Sequence, residues 1–284
     1  MKKITFLSAA VLIASTSVFN SCKKKTEVDN ETQSVVDNAI CEQQFMAIQP
    51  SVNSKGITEK GIKKVNTCET WNILGAIGGT NTPNPAQDTI VNGSGNYQNG
   101  PVTFEIDYGT TGCPGPDGRI RTGKIHITTA KRWSSLNTQV TTDLLNYAVN
   151  GVTYSGQVII TRIDSVTINT QVVNGHCTNG TWNIDWACNK TLKQIAGFST
   201  KTDETDDEFQ ITGTANGKNR EGRTFTTSIT SPLVKKNNCQ YISSGTLELT
   251  PDGFKTRTVD FGNGTCDDDA TFTVNGQTVS FKLK

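Results

Sequence analysis

The residues of this 284-residue chain with the most definite chemistry are its eight cysteines. The first, Cys22, follows a short apolar stretch and precedes three lysines, whereas the other seven lie between positions 41 and 266. No two cysteines have C-x-x-C spacing, and the two histidines, His126 and His176, are far apart in the sequence. Because zinc sites need clustered Cys and His ligands, we predict no metal site and no cofactor.

The N-terminal 21 residues have the features of an export signal. Lys2 and Lys3 precede an apolar run over 4–14 that is too short to span a bilayer. A cysteine at the end of such a run, after the small Ser21, is typical of bacterial lipoprotein processing. We therefore predict that Cys22 carries acyl chains such as palmitate and that residues 22–31 are a tether to the membrane. The alternative is an ordinary secretory signal with an incidental cysteine.

A repeat places four of the remaining cysteines. The stretches 66–130 and 237–284 both open with Asn-x-Cys and continue to an aliphatic-Asp-aromatic-Gly-x-x-x-Cys motif. A turn at Pro251-Asp252-Gly253 that pairs Thr250 with Lys255, or one residue away, brings Cys239 opposite Cys266. In an oxidising compartment we expect that pair to be a disulfide, and by the repeat we expect Cys68–Cys113. Cys41, Cys177 and Cys188 remain. A Cys177–Cys188 bond needs another register, so at least one of the three is expected to be a buried free thiol.

Catalytic signals are weak. There is no G-x-S-x-G motif, and His126 alternates with two isoleucines, so we expect it to face outward. Glu105 and Asp107 share a strand face, but Asp107 recurs in the repeat as Asp260, which favours a turn-bracing role. We therefore predict that the protein is not an enzyme.

Binding signals are also weak. The acidic runs at 203–208 and 267–269 are interpreted as solvated loops, with a loose calcium site as the alternative. Trp182 and Trp186 are interpreted as core residues rather than a sugar platform. Trp133, in a predicted loop, is the candidate ligand contact.

The elements that position these residues are predicted to be β-strands. Apolar residues make up 34% of the chain, charged residues 19%, and there are 26 glycines, which excludes a coiled coil, a disordered polyelectrolyte and a multi-span membrane protein. Ten Asn-Gly or Asp-Gly dipeptides predict hairpin turns. We expect an all-β antiparallel meander over 50–284, whether sandwich, open barrel or long twisted sheet. One short amphipathic helix over 32–49 precedes it, with a capping box from Ser34 to Asp37.

The signal segment, the helix and the two Cys-ended motifs together resemble the uncharacterised β-rich outer-membrane lipoproteins of the Bacteroidota. The resemblance covers nearly the whole mature chain and implies an outer-membrane location but no activity. The lysines after Cys22 favour the periplasmic face over the cell surface. Removal of Lys2 and Lys3 leaves 25 basic and 26 acidic residues, so no nucleic-acid partner is expected. The predicted function is a non-catalytic structural or interaction role. A glycan- or ligand-binding module on hairpin loops and a carboxylate-dependent hydrolase are the alternatives.

Overall fold

The computed structural model describes residues 29–56, 68–76, 102–115, 118–129, 136–200 and 205–283. These residues form one helix, α1 (Gln33–Gly56), followed by strands. The strands are β1 Thr70–Ala76, β2 Val102–Asp107, β3 Cys113–Pro114, β4 Ile120–Thr129, β5 Gln139–Val149, β6 Val152–Arg162, β7 Thr167–Thr178, β8 Asn183–Ala196, β9 Glu208–Lys218, β10 Thr224–Lys236, β11 Ile242–Pro251, β12 Arg257–Asn263, β13 Asp269–Val274 and β14 Gln277–Lys282.

All strands belong to one open antiparallel sheet, which confirms the predicted all-β fold. Each strand pairs with the next along the chain, except that β2 pairs with β4 and the two-residue β3 pairs with β4 from the side. Of the three predicted architectures, the structure has the single continuous sheet, with β1 and β14 at its edges. The repeat at 66–130 contributes one edge of this sheet and the repeat at 237–284 contributes the other.

The sheet alternates buried and outward-facing residues, as the sequence indicates. On β8, Ile184, Trp186 and Cys188 point to the buried face while the residues between them are more exposed. We call the face that carries these buried side chains the inner face. Phe272 pairs with Val279 and Val274 with Gln277, which is the predicted register.

Two Asn-Gly pairs form the expected tight turns between strands. Asn150 and Gly151 have φ values of 49° and 81°, and Asn275 and Gly276 have φ values of 53° and 75°. Positive φ at both central residues is the requirement of a type I′ hairpin.

Two other Asn-Gly pairs lie inside strands, where the hairpin prediction is wrong. Asn174-Gly175 is in β7, beside a register shift against β8, and Asn216-Gly217 is in β9. A Cβ on Gly175 would lie 2.6 Å from the Trp186 carbonyl oxygen and 2.9 Å from the Phe45 ring. Glycine is needed here because the helix and the neighbouring strand approach the backbone closely.

The two ends of the strands differ in what they carry. The proximal end, where residues 29–32 enter the fold, carries the turns that follow β5, β7, β9, β11 and β13. The distal end carries the connections that follow β4, β6, β8, β10 and β12. Residues 29–31 lie at the proximal end because Glu31 and Asp29 contact Arg257, the first residue of β12.

Helix α1 begins and ends differently from the prediction. The Thr32 carbonyl accepts the N–H of Val35, and the N–H of Ser34 is capped by the Glu31 carboxylate at 2.8 Å. The predicted Ser34–Asp37 capping box is therefore wrong, since the two side chains instead bond Asn219 and Arg220 in the turn between β9 and β10. The helix also continues past the predicted end at residue 49, because Pro50 removes a single backbone N–H without ending it.

The helix packs on the inner face, and the sheet curves around it. Glu31 contacts Arg257 at β12, while Gln44 contacts Arg119 beside β4. In a flat sheet these strands would be about 38 Å apart, at ~4.8 Å per strand, yet the helical residues between the two contacts span only about 20 Å. Where its side chains are described, between Gln33 and Ile48, the helix is therefore buried on most of its sides rather than amphipathic with a solvated face.

Both predicted disulfides are present. Cys68 bonds to Cys113 with a Cα–Cα distance of 5.5 Å, and Cys239 bonds to Cys266 at 5.7 Å. Leu249 pairs with Arg257, one residue from the predicted Thr250–Lys255 register and within its stated tolerance.

The aspartates of the repeat brace tight turns, as predicted. Asp107 accepts the N–H of Gly109 at 2.8 Å, and Asp260 accepts the N–H of Gly262 at 2.9 Å. Both glycines have positive φ, so each aspartate holds a turn that glycine makes possible.

Candidate functional site

Two of the predicted site residues, Cys22 and Trp133, lie outside the described residues. The four disulfide cysteines are where the sequence places them. The remaining chemistry of the described chain is found in four places: the helix–sheet interface, two histidine pairs on the outer face, and a group of apolar side chains at the distal end.

The helix–sheet interface contains a row of buried ion pairs that the sequence analysis missed. Lys190 Nζ lies 2.9 Å from Glu42 Oε2 with both side chains fully buried, and Arg220 lies 2.6 Å from the buried Asp37. At the start of the helix, Arg257 contacts Glu31 at 3.4 Å and also bonds Asp29. Buried charges of this kind need a partner because the protein interior solvates them poorly, so the pairs fix the helix in one position on the sheet.

Neutral side chains extend the same interface. The Trp186 indole N–H donates to Asn38 at 3.0 Å, and its ring stacks on Phe45 at 5.6 Å between centroids. Trp186 is therefore a core residue, as predicted. Trp182 is partly buried and has the Arg220 guanidinium 4.4 Å above its ring, so it too packs within the fold.

Three free cysteines lie in this region. Cys41 and Cys177 have their sulfur atoms 3.5 Å apart, and Cys188 is also buried. Burial raises the pKa of the Cys41 thiol well above its usual value and raises the pKa of Cys188 to about 12. Because the thiolate is the nucleophile, Cys41 and Cys188 are not suited to nucleophilic catalysis in the folded protein.

The first histidine pair lies on the outer face of β2 and β4. His126 Nε2 is 2.6 Å from Glu105 Oε2, and Lys124 lies 2.9 Å from Glu105 and 3.1 Å from Asp107. The backbone N–H of Gly109, followed by Lys124, holds the pKa of Asp107 below its usual value. His126 faces outward as predicted, but its partner Glu105 also bonds Lys124, which bridges to Asp107, so the group is a structural ion-pair network.

The second histidine pair lies on the outer face of β7 and β8 and has a hydroxyl beside it. His176 Nδ1 is 2.7 Å from Asp185 Oδ1, and Ser155 on β6 is the register partner of His176. Serine, histidine and aspartate therefore follow one another across three neighbouring strands, in the order of a hydrolytic triad. The Asp185 side chain is 64% exposed, however, so water weakens its effect on the imidazole.

The distal end carries a group of exposed apolar side chains, which we call the distal patch. It consists of Leu136, Ile163, Ile195 and Phe198, of which Leu136 is 60% and Phe198 is 56% exposed. Backbone hydrogen bonds join the segments that carry these side chains. The Asn137 N–H donates to the Arg162 carbonyl, and the Gln194 N–H donates to the Val166 carbonyl. Four of the eight large apolar side chains that are exposed among the described residues therefore lie at one end of the sheet, three on its connections and Ile195 at the end of β8. Clusters of this kind mark interaction surfaces.

The acidic runs are engaged within the fold where the structure describes them. Asp206 accepts a hydrogen bond from the Thr200 hydroxyl, and Asp207 accepts one from the Gln194 side-chain amide. Lys282 bonds both Asp268 and Asp269, and this contact holds the pKa of Asp268 below its usual value. In the described part of the chain, no three His, Cys, Asp or Glu side chains are grouped to hold a metal ion.

No protein-family model, curated protein or solved structure matches the chain. Among the described residues, no helix is long and apolar enough to cross a membrane.

Proposed function

We propose that the protein is a lipid-anchored cell-envelope protein that presents the distal patch to a partner protein and catalyses no reaction. The observation that carries the proposal is the position of the patch. It lies at the end of the sheet opposite to the end where the chain enters from the predicted lipid attachment site at Cys22. The proposed location is the outer membrane, on its periplasmic face, as the resemblance and the lysines after Cys22 indicate.

The short tether supports this arrangement. Residues 23–28 are all that separate Cys22 from Asp29, which is held by Arg257, and an extended segment of this length spans only about 25 Å. The strand β8, at 14 residues, is about 45 Å long. An acylated Cys22 would thus hold the proximal end near the bilayer, while the distal patch projects away from it.

The composition of the patch favours a protein partner over a glycan. Its described side chains are three aliphatic residues and one phenylalanine, which suit an apolar protein surface, whereas sugar sites use flat aromatic platforms beside polar groups. The predicted contact residue Trp133 belongs to the same connection as Leu136 in the sequence. A glycan- or ligand-binding role on these loops remains the alternative, and the experiment below distinguishes the two.

The test places a photo-reactive amino acid at Phe198 of the full-length protein in its own envelope. We expect a discrete covalent protein adduct that the double variant Leu136→Ser/Ile163→Ser abolishes. The matched control is the same photo-reactive residue at Val173, with Leu145→Ser as the control substitution, since both positions are exposed and lie away from the patch. Equal adducts from both positions, or glycan-array binding that the patch variants remove, would contradict a protein partner.

Lipid attachment is tested separately. Metabolic labelling with an alkyne fatty acid should label the wild-type protein and leave Cys22→Ala unlabelled. A wild-type protein that is exported but carries no label would overturn the anchored part of the proposal.

A second candidate is hydrolysis at Ser155, His176 and Asp185, which the order of these residues across β6, β7 and β8 favours. In this arrangement Asp185 orients the imidazole, and the remaining ring nitrogen is available to accept the serine proton. The open position of the site makes it the second choice. Ester hydrolysis by the purified protein that Ser155→Ala abolishes would establish it.

A further inference from the structure

We propose that Cys41 and Cys177 form a third disulfide, which ties helix α1 to strand β7. Their sulfur atoms are 3.5 Å apart, and both residues are fully buried. A disulfide needs the two sulfur atoms to approach to about 2.05 Å. The remaining movement of about 1.5 Å is small enough to be met by side-chain rotation and a slight shift of the helix.

The register of the sheet excludes Cys188 as the partner of Cys177. Cys177 is opposite Ile184 on β8, whereas Cys188 is opposite Val172. Cys188 therefore lies four residues farther along β8, a distance of about 13 Å. Cys41 approaches Cys177 from the helix side, so the pairing joins two elements that are 136 residues apart in the chain.

The other disulfides of the chain indicate that it folds where thiols are oxidised. Cys68–Cys113 and Cys239–Cys266 both join residues distant in sequence, and such bonds persist in oxidising compartments. In each of them one cysteine is exposed, Cys68 in the first and Cys266 in the second. The Cys41–Cys177 pair differs because both of its cysteines are shielded from solvent.

This shielding determines when the bond can form. The two thiols lose two protons and two electrons, and the acceptor is the disulfide of a thiol–disulfide exchange protein. One thiolate attacks that disulfide, the second resolves the mixed disulfide, and the exchange protein leaves as a dithiol. The exchange protein must reach Cys41 or Cys177 before the helix is seated, so the bond forms during folding. Once buried, the pair is inaccessible to reductants that reach the other two disulfides.

The test uses the full-length wild-type protein from its own envelope. The protein is denatured without reductant in the presence of iodoacetamide, then reduced, labelled with a heavy form of the reagent and mapped by mass spectrometry. We expect the heavy label on Cys41 and Cys177 and the light label on Cys188. Light label on both Cys41 and Cys177 would overturn the proposal. A second sample, reduced after denaturation and then treated with the light reagent, is the control and should carry the light label at all three positions.

A stability measurement gives an independent readout. Under non-reducing conditions Cys41→Ala should lower the Tm by about 10 °C. The Tm of the double variant Cys41→Ala/Cys177→Ala should lie within a few degrees of that of the single variant. A shift in the double variant equal to the sum of the two single-variant shifts would contradict a shared bond. In the native protein, a mild reductant should open Cys239–Cys266 and Cys68–Cys113 before Cys41–Cys177.

Discussion

Removal of one charge from the Glu42–Lys190 pair is expected to destabilise the fold strongly. The Nζ–Oε2 distance is 2.9 Å, both side chains are fully buried, and Glu42 Oε1 has no hydrogen-bond partner. At an effective dielectric constant near 20, the attraction between the two charges is about 6 kcal/mol. Most of this attraction offsets the cost of taking both charges out of water, so the net contribution of the pair to stability is small.

The asymmetry between single and double replacement follows from this balance. Lys190→Met leaves the Glu42 carboxylate buried without its partner. Glu42→Met leaves the Lys190 ammonium buried without its partner. Each is expected to cost about 3–5 kcal/mol. The double variant Glu42→Met/Lys190→Met removes both charges and fills the space with apolar side chains, so we expect it to be within about 2 kcal/mol of the wild type, or more stable.

Urea unfolding followed by tryptophan fluorescence measures these changes. With a denaturant slope of about 3 kcal/mol per molar, each single variant should lower the midpoint by about 1 M or more, while the double variant recovers most of it. Lys282→Met breaks an exposed ion pair with Asp268 and serves as the control, which should leave the midpoint unchanged. The reasoning is refuted if the cost of the double variant equals the sum of the two single costs.

Three further predictions test other parts of the structure. The pKa of Cys188 is raised by burial to about 12, so the unfolded chain loses this proton first. The contribution of this thiol to the free energy of unfolding should therefore be constant below about pH 9 and fall above it, by about 1.4 kcal/mol per pH unit. Urea titrations at pH 8 and pH 10.5 should show this fall in the wild type and a smaller fall in Cys188→Ala; equal slopes would contradict it. Gly175→Ala forces a methyl group against Phe45 and a backbone carbonyl and should cost about 1–3 kcal/mol in the same assay, whereas a neutral effect would contradict the close approach. Under the proposed non-catalytic function, Ser155→Ala should leave the hydrolysis of p-nitrophenyl acetate at the wild-type rate.

The strands and the two disulfides were predictable because their signals are local. Alternation of apolar residues on β8 and the Asn275-Gly276 turn each depend on residues a few positions apart. The Cys239–Cys266 bond follows from one hairpin register, and the repeat extends it to Cys68–Cys113. The turn prediction failed at Asn174-Gly175 because the glycine is needed there for a tertiary contact. It leaves room for a helix that is distant in the sequence.

The polar core of the helix interface was not predictable from the sequence. Asp37 was interpreted as part of a capping box and Glu42 carried no signal, because their partners Arg220 and Lys190 are 183 and 148 residues away. No spacing rule connects residues so far apart. The Ser155, His176 and Asp185 alignment was missed for a related reason, since it depends on the register of three strands rather than on a contiguous motif.

The position of α1 inside the curved sheet also determines the order in which the molecule can assemble. The helix is made first, but its contact with Arg257 closes a segment of 226 residues. Successive hairpins of the meander can form as each pair of strands is completed, whereas the helix has no complete binding surface until β12 is available. Until then its carboxylates stay hydrated. Seating of the helix is then the final step of folding, and under the proposed export it occurs only after nearly the whole chain has crossed the membrane.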